Sequence, residues 1–282
     1  MNAIENSLTG FRKIDLAHLS PAGLMKRYDT KFLMPVAQLP ALFQVLRPDY
    51  DVLEIDNQRI FPYQNLYYDT DDYFFYHQHH DQRLSRYKIR CRNYMDIGQI
   101  FFEVKCKTNK KKTIKERMPL SGSQIRPELS QDAMAFAREC LGRKNRHLVD
   151  DIRPSLWTGY HRMTIANPLN QARVTFDVNL TFSDGSRCLA LNHLAIVEFK
   201  YFRALIHPEF FQLLKKQHIL PVRFSKYCMG LVLMGKPVKH NRFKQTLRYV
   251  HKLTQDASST YQDMDFHPEF LPQEDRLARL AY

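Results

Sequence analysis

Arg86, Lys88, Arg90 and Arg92 stand at every second position, with Tyr87, Ile89 and Cys91 between them. That period of two argues against a helix and for a β-strand, in which successive side chains alternate between the two faces. Four like charges on one face repel, and a strand gains nothing from the arrangement by itself. A strongly anionic group lying against them is the expectation.

The same parity recurs along the chain. Phe102, Val104 and Cys106 alternate with Glu103, Lys105 and Lys107. Arg27, Asp29 and Lys31 alternate with Tyr28, Thr30 and Phe32. Arg173, Thr175, Asp177 and Asn179 alternate with Val174, Phe176, Val178 and Leu180, and Glu198 and Lys200 with Val197, Phe199 and Tyr201. Each segment reads as a strand with one apolar and one charged face. For a single strand, core on one side and water on the other is the ordinary outcome. The repeated bias, mostly cations with a carboxylate among them, points instead to charged faces turned toward one another inside a closed antiparallel barrel.

A net charge of +13 favours an anionic partner such as phosphate compounds, nucleic acid or an acidic membrane surface. No apolar run is long enough to span a bilayer, and the N-terminus lacks a signal-peptide core, so a cytoplasmic location is expected. The five cysteines show no CxxC spacing, which suits reduced thiols better than a disulfide framework or a zinc site.

Helices are expected where the apolar spacing changes. Leu39, Leu42, Phe43 and Leu46 form one stripe; Ala133, Met134, Phe136, Ala137, Cys140 and Leu141 form another, with Ser130 as N-cap and Gly142 as stop. Further helices begin at Pro208 and after Ser225, and a last one covers 241–253. Strands are expected near 64–69, 83–94, 99–107, 112–118, 158–166, 173–182 and 193–202, with a hairpin at Thr108-Asn109-Lys110-Lys111. The expected fold is α+β: an eight-stranded antiparallel β-barrel tunnel with helices packed outside and at its ends. An N-terminal segment (1–23), a tunnel domain (24–253) and a loosely held tail (254–282) divide the chain.

Taken in order, several short stretches resemble the VTC branch of the triphosphate tunnel metalloenzymes, the CYTH-like superfamily, in its stand-alone bacterial type. They are Arg27-Tyr-Asp-Thr-Lys31-Phe32, Tyr67-Tyr68-Asp69-Thr70, Arg86-Tyr-Lys88-Ile-Arg90-Cys-Arg92 and Phe102-Glu103-Val104-Lys105. Tyr160-His-Arg162, Arg173-Val-Thr-Phe-Asp177, Val197-Glu198-Phe199-Lys200-Tyr201 and Ser225-Lys226-Tyr227 follow. One departure is Asp29, where the family carries the longer Glu. The extra phosphate-sensing and membrane domains of the eukaryotic complex are absent from this sequence, so membrane transport is not carried over.

The resemblance implies a site. Arg86, Lys88, Arg90 and Arg92, with Lys31, Lys105, Arg162, Arg173, Lys200 and Lys226, are expected to bind phosphates; Arg90, Arg92 and Lys226 are the candidate catalytic groups. Arginine offers a planar fork to phosphate oxygens, whereas lysine offers a point charge. Glu198, then Glu103, then Asp29 are the candidate ligands for Mn²⁺ or Mg²⁺, although salt bridges to neighbouring lysines are an equal expectation for the last two. His77, His79 and His80 are expected in a solvated connection. Lys107, Lys110, Lys111, Lys112 and Lys115 straddle a hairpin tip, a solvated turn.

The implied activity is metal-dependent polyphosphate synthesis from ATP, with ATP and polyphosphate as partners. A triphosphatase needs the same cations and metal, and a non-catalytic polyanion-binding module remains a third reading. Specific nucleic-acid binding is disfavoured because Tyr28, Phe32, Phe102, Phe176 and Phe199 have the parity opposite to the charges.

Overall fold

A computed structural model describes residues 2–19, 27–110, 112–169, 172–202 and 208–256. In chain order, helix α1 (Asn2–Thr9) and the short β1 (Lys13–Ile14) precede β2 (Arg27–Pro35), α2 (Leu39–Leu46) and β3 (Asp51–Leu53). Next come β4 (Phe61–Asp69), α3 (Phe74–His80), β5 (Arg86–Tyr94), β6 (Gln99–Lys107) and β7 (Thr113–Leu120). Helix α4 (Gln131–Asn145) leads to β8 (Arg153–Ala166), β9 (Arg173–Ser183), β10 (Cys188–Leu191) and β11 (Leu194–Phe202). Three helices follow: α5 (Pro208–Lys216), α6 (Lys226–Leu233) and α7 (Lys244–Asp256).

Eight strands form one antiparallel path in the order β2-β11-β9-β8-β4-β5-β6-β7. Each segment assigned from parity is a strand of this path. The expected closure is corrected: among the described residues no pairing joins the two edge strands, β2 and β7. The physical reason lies at the edge of β2. Phe32 bridges Pro221, and Val222 N donates to Lys31 O at 2.8 Å, so the segment before α6 takes up backbone groups that β7 would need.

Which face each side chain takes follows from register. Opposite partners in an antiparallel pair share a face, so Arg86↔Lys107, Lys88↔Lys105 and Arg90↔Glu103 put the basic ladder and the alternating charges of β6 together. Outward-facing residues pack under helices. Phe32, Val174, Phe176, Val197 and Phe199 meet α1, α2 and α5, while Ile89, Cys91, Phe102 and Val104 meet α4. On the concave side, Leu33, Tyr67, Leu156, Tyr160, Leu180 and Ile196 pack with Tyr227, Cys228 and Leu231 of α6. Helix α6 thus plugs part of the concavity with apolar groups, and the charged residues occupy the rest.

The alternation assigned to β9 fails at one position. Asn179 takes φ 51, and the β8–β9 register shifts between Gly159 and His161. This bulge inserts one residue, so Leu180 and Phe182 turn into the concave core although the parity of Val178 points outward.

Local signals for helix ends hold. Ala133 N donates to Ser130 Oγ and Cys228 N to Ser225 Oγ, both at 3.2 Å. Gly142 breaks α4 with φ 64, and the turn after it runs on to Asn145. The expectation that the histidine cluster is a solvated connection is corrected: His77, His79 and His80 lie on α3, and His80 is buried. The N-terminal segment is also built into the fold, since Ile4, Leu8 and Phe11 join the outer core. Lys111, the Arg27 side chain and the tail beyond Asp256 lie outside the described residues. No helix among the described residues is long and apolar enough to cross a membrane.

Candidate active site on the concave face

Three carboxylates of the charged concave face, Glu103, Asp177 and Glu198, are each clamped by two or more cations. Glu103 on β6 pairs with Arg90 of β5 at 2.6 Å and with Lys115 of β7. Asp177 on β9 takes two hydrogen bonds from Arg162 of β8, at 2.6 and 2.8 Å, and a third from Lys226 of α6. Glu198 on β11 pairs with Lys31 of β2 and lies 3.8 Å from Lys200. Burial alone would raise the pKa of Glu103, but Arg90, Arg92 and Lys115 hold it down at about 2. The same contest at Glu198 is won by Lys31 and Lys200, again at about 2. At Asp177, Arg162 and Lys226 overcome burial and keep the carboxyl well below its usual range. All three are anions at neutral pH.

The cations on the face exceed these carboxylates. Lys88 donates to Ser225 Oγ at 2.8 Å, which ties the basic ladder to the cap of α6. Burial and then its cationic neighbours Arg90, Lys31 and Arg86 lower the pKa of Lys88. Lys105 is open to solvent but enclosed by the curved sheet; that enclosure, then Lys88 and Arg90, depress it to about 8. Arg173 stands opposite Lys200 in the β9–β11 register, and Arg86 lies at the mouth of the face. Like charges gathered in this way are relieved by a bound anion.

The face also carries aromatic rings that the sequence reading did not place there. Tyr63 and Tyr160 stack 5.3 Å apart at an interplanar angle of 8°. Arg92 lies 5.5 Å from the Tyr63 ring centre, Arg162 5.2 Å from both rings, and Lys226 4.1 Å from Tyr160. Tyr67 accepts a hydrogen bond from Arg90 at 3.1 Å. These contacts orient the cations. The signal was present in the sequence: Tyr63, Asn65 and Tyr67 alternate in the same way as the ladder, and Asn65 Oδ1 accepts from Arg92 Nε at 3.0 Å.

Every described cation of the expected phosphate set, Lys31, Arg86, Lys88, Arg90, Arg92, Lys105, Arg162, Arg173, Lys200 and Lys226, thus lies on one face. The three candidate metal ligands are not gathered. Asp29 sits opposite Lys200 on the edge strand, and Glu103 belongs to the β5–β7 side. Among the described residues no three His, Cys, Asp or Glu side chains come together as a metal centre. Glu198 fits a hard cation alone: it is ionised, part-exposed and on the concave side, and Mg²⁺ commonly uses one or two carboxylates with substrate phosphates. Glu103, only 2% exposed and held by Arg90 and Lys115, fits an organiser of cations.

An antiparallel sheet curled around a cationic face, with helices outside and one helix plugging the concavity, defines a triphosphate-tunnel type of fold. The chain belongs to the VTC domain family, whose family model matches residues 26–234. Among solved structures it is similar to a proposed adenylate cyclase of Bacillus halodurans, with 16% identity and a TM-score of 0.42 over 71% of this chain and 96% of that one. It is also similar to a proposed adenylyl cyclase of Hippeastrum described as having a dominant triphosphatase activity, with 14% identity and a TM-score of 0.38 over 77% and 99%. A conserved hypothetical protein of Pyrococcus furiosus aligns at 10% identity and a TM-score of 0.38 over 72% and 99%. Comparison with curated proteins gives no match.

Proposed function

We propose that the chain is a metal-dependent polyphosphate polymerase that transfers the γ-phosphoryl group of ATP to the end of a polyphosphate chain. The observation that carries this reading is the excess of cations over carboxylates on one enclosed face of a VTC domain. A triphosphate lying along the face meets the arginine forks of β5 and the lysines of β2, β6 and β11, which spread its charge over many donors. Lys226 opens helix α6, where backbone N–H groups add to its charge. Asp177 holds Lys226 and Arg162 in place, and Glu103 does the same for Arg90. When bound beside Glu198, Mn²⁺ or Mg²⁺ supplies charge neutralisation to the phosphate oxygens. Catalysis rests on positioning donor and acceptor phosphates, with no covalent enzyme nucleophile.

A triphosphatase would place water where the acceptor phosphate sits. Incubation with ATP and Mn²⁺, with products resolved on a gel, separates the two. The polymerase gives ADP and a ladder of chains, and added short polyphosphate shortens any initial lag. Orthophosphate alone, at every metal and ATP concentration, would leave the hydrolase.

A further inference from the structure

From Phe210 through Gln255 the chain contains ten lysines and arginines and no Asp or Glu. Part of that run serves the concave face, through Lys226. The rest continues onto α7, where Lys244, Arg248 and Lys252 are all exposed and follow at intervals of four, so they form one stripe. Like charges at that spacing repel in an isolated helix and give no structural benefit. Among the described side chains none of the three is in a salt bridge; the side chain of Asp256, at the end of α7, lies outside them.

The stripe leads away from the charged face. Gln245 and Tyr249 of α7 line a cavity of about 1070 Å³ whose wall also includes Lys31, Arg86 and Arg223. Helical geometry places Lys252 and Arg248 beside those two residues, so the cationic wall of the cavity passes onto the exposed side of α7. The apolar side of the helix is already used: Val250 and Leu253 are buried, and Phe243 and Leu247 pack in the same core. A helix lying in a bilayer interface needs that face free, so the stripe is not built for membrane insertion.

We infer that the Lys244–Arg248–Lys252 stripe is an exterior track that holds the part of a polyphosphate chain extending beyond the concave face. The inference rests on the proposed polymerase reading and adds a second attachment point for long chains. A chain held at both points gains by effective concentration, whereas a triphosphate is too short to reach the track.

The test uses the full chain and the variant Lys244→Gln/Arg248→Gln/Lys252→Gln, titrated with long-chain polyphosphate and with tripolyphosphate over a range of salt. For the variant, long-chain affinity is expected to fall about tenfold at low salt, and its salt dependence to shrink by a log–log slope of about two. Tripolyphosphate affinity stays at the wild-type value, and the melting temperature is unchanged or raised as the repulsion is relieved. Unchanged long-chain affinity, or equal losses for both ligands, overturns the track. Vesicle binding by phosphatidylserine, or tighter binding of a single-stranded oligonucleotide than of polyphosphate, lost in the variant, assigns the stripe to another partner and also overturns it. A wild-type protein that binds long chains through α7 but no tripolyphosphate would instead remove the polymerase reading and leave the track standing.

Discussion

Tyr227 donates a 2.5 Å hydrogen bond to Oδ2 of Asp69, a residue 158 positions earlier. The same carboxylate accepts from the backbone N–H groups of Thr70, Phe75 and Tyr76, and so caps α3 while anchoring α6. Burial pushes the Asp69 pKa up, and these hydrogen bonds oppose it. Tyr227 also stacks on Tyr67, 5.0 Å away, which accepts from Arg90. The bond therefore links two helices to the basic ladder and sets the start of α6 next to Lys226. Tyr227→Phe is expected to cost about 1–3 kcal/mol, the range for leaving a buried acceptor without its donor. Urea denaturation measures it, and a change below about 0.5 kcal/mol would show that the contact contributes little.

Glu198→Gln should abolish metal-dependent turnover and leave the fold intact. The amide keeps the volume and removes the charge that faces Lys31 and Lys200. Circular dichroism checks the fold and a Mn²⁺ titration the activity. Wild-type turnover across that titration would take Glu198 out of the site.

Arg90→Ala and Arg92→Ala should weaken tripolyphosphate binding far more than Lys110→Ala. Arg90 and Arg92 lie on the enclosed face, whereas Lys110 is exposed at the hairpin tip, where single charges are worth about 1 kcal/mol or less. Arg90→Ala also leaves Glu103 with less compensation, so its stability should fall more steeply than that of Arg92→Ala. Calorimetric titration and thermal melts separate the two effects. Equal, salt-sensitive losses from all three would mean that the anion binds only on the surface.

Lys105 provides a pH test. Its folded pKa of about 8 lies below the ordinary lysine value of 10.5, so the free protein holds fewer protons there than the unfolded chain between those limits. Folding stability is thus expected to gain from this group as pH rises through that window. Binding has the opposite sign: a polyanion favours charged Lys105, so tripolyphosphate should bind with proton uptake above pH 8 and weaken as pH rises. Calorimetry in buffers of different ionisation enthalpy reads the uptake. Lys105→Arg, charged throughout, should remove it; persistence of the full uptake in that variant would assign the proton elsewhere.

The parity of charged and apolar residues determined by itself which segments are strands and which side of each strand is charged, because a strand's side-chain period is local and equals two. The caps of α4 and α6 were legible for the same reason: Ser130 and Ser225 bond to an amide three residues on. Four features depended on the tertiary structure. The bulge at Asn179 reverses the parity of β9; asparagine tolerates the left-handed backbone there better than Val178 or Leu180, but its polar place in the alternation fits an unbroken strand equally well. The pairing of Pro221–Val222 with β2 keeps the sheet from closing at that edge. The histidines that read as a polar connection form α3, because Asp69 caps its first turn and Tyr76 and His80 pack against Phe243. The choice of partner for each carboxylate was also out of reach of sequence. Asp177 meets Lys226 from 49 positions away and Asp69 meets Tyr227 from 158, distances set by register and helix docking between elements that no local period relates.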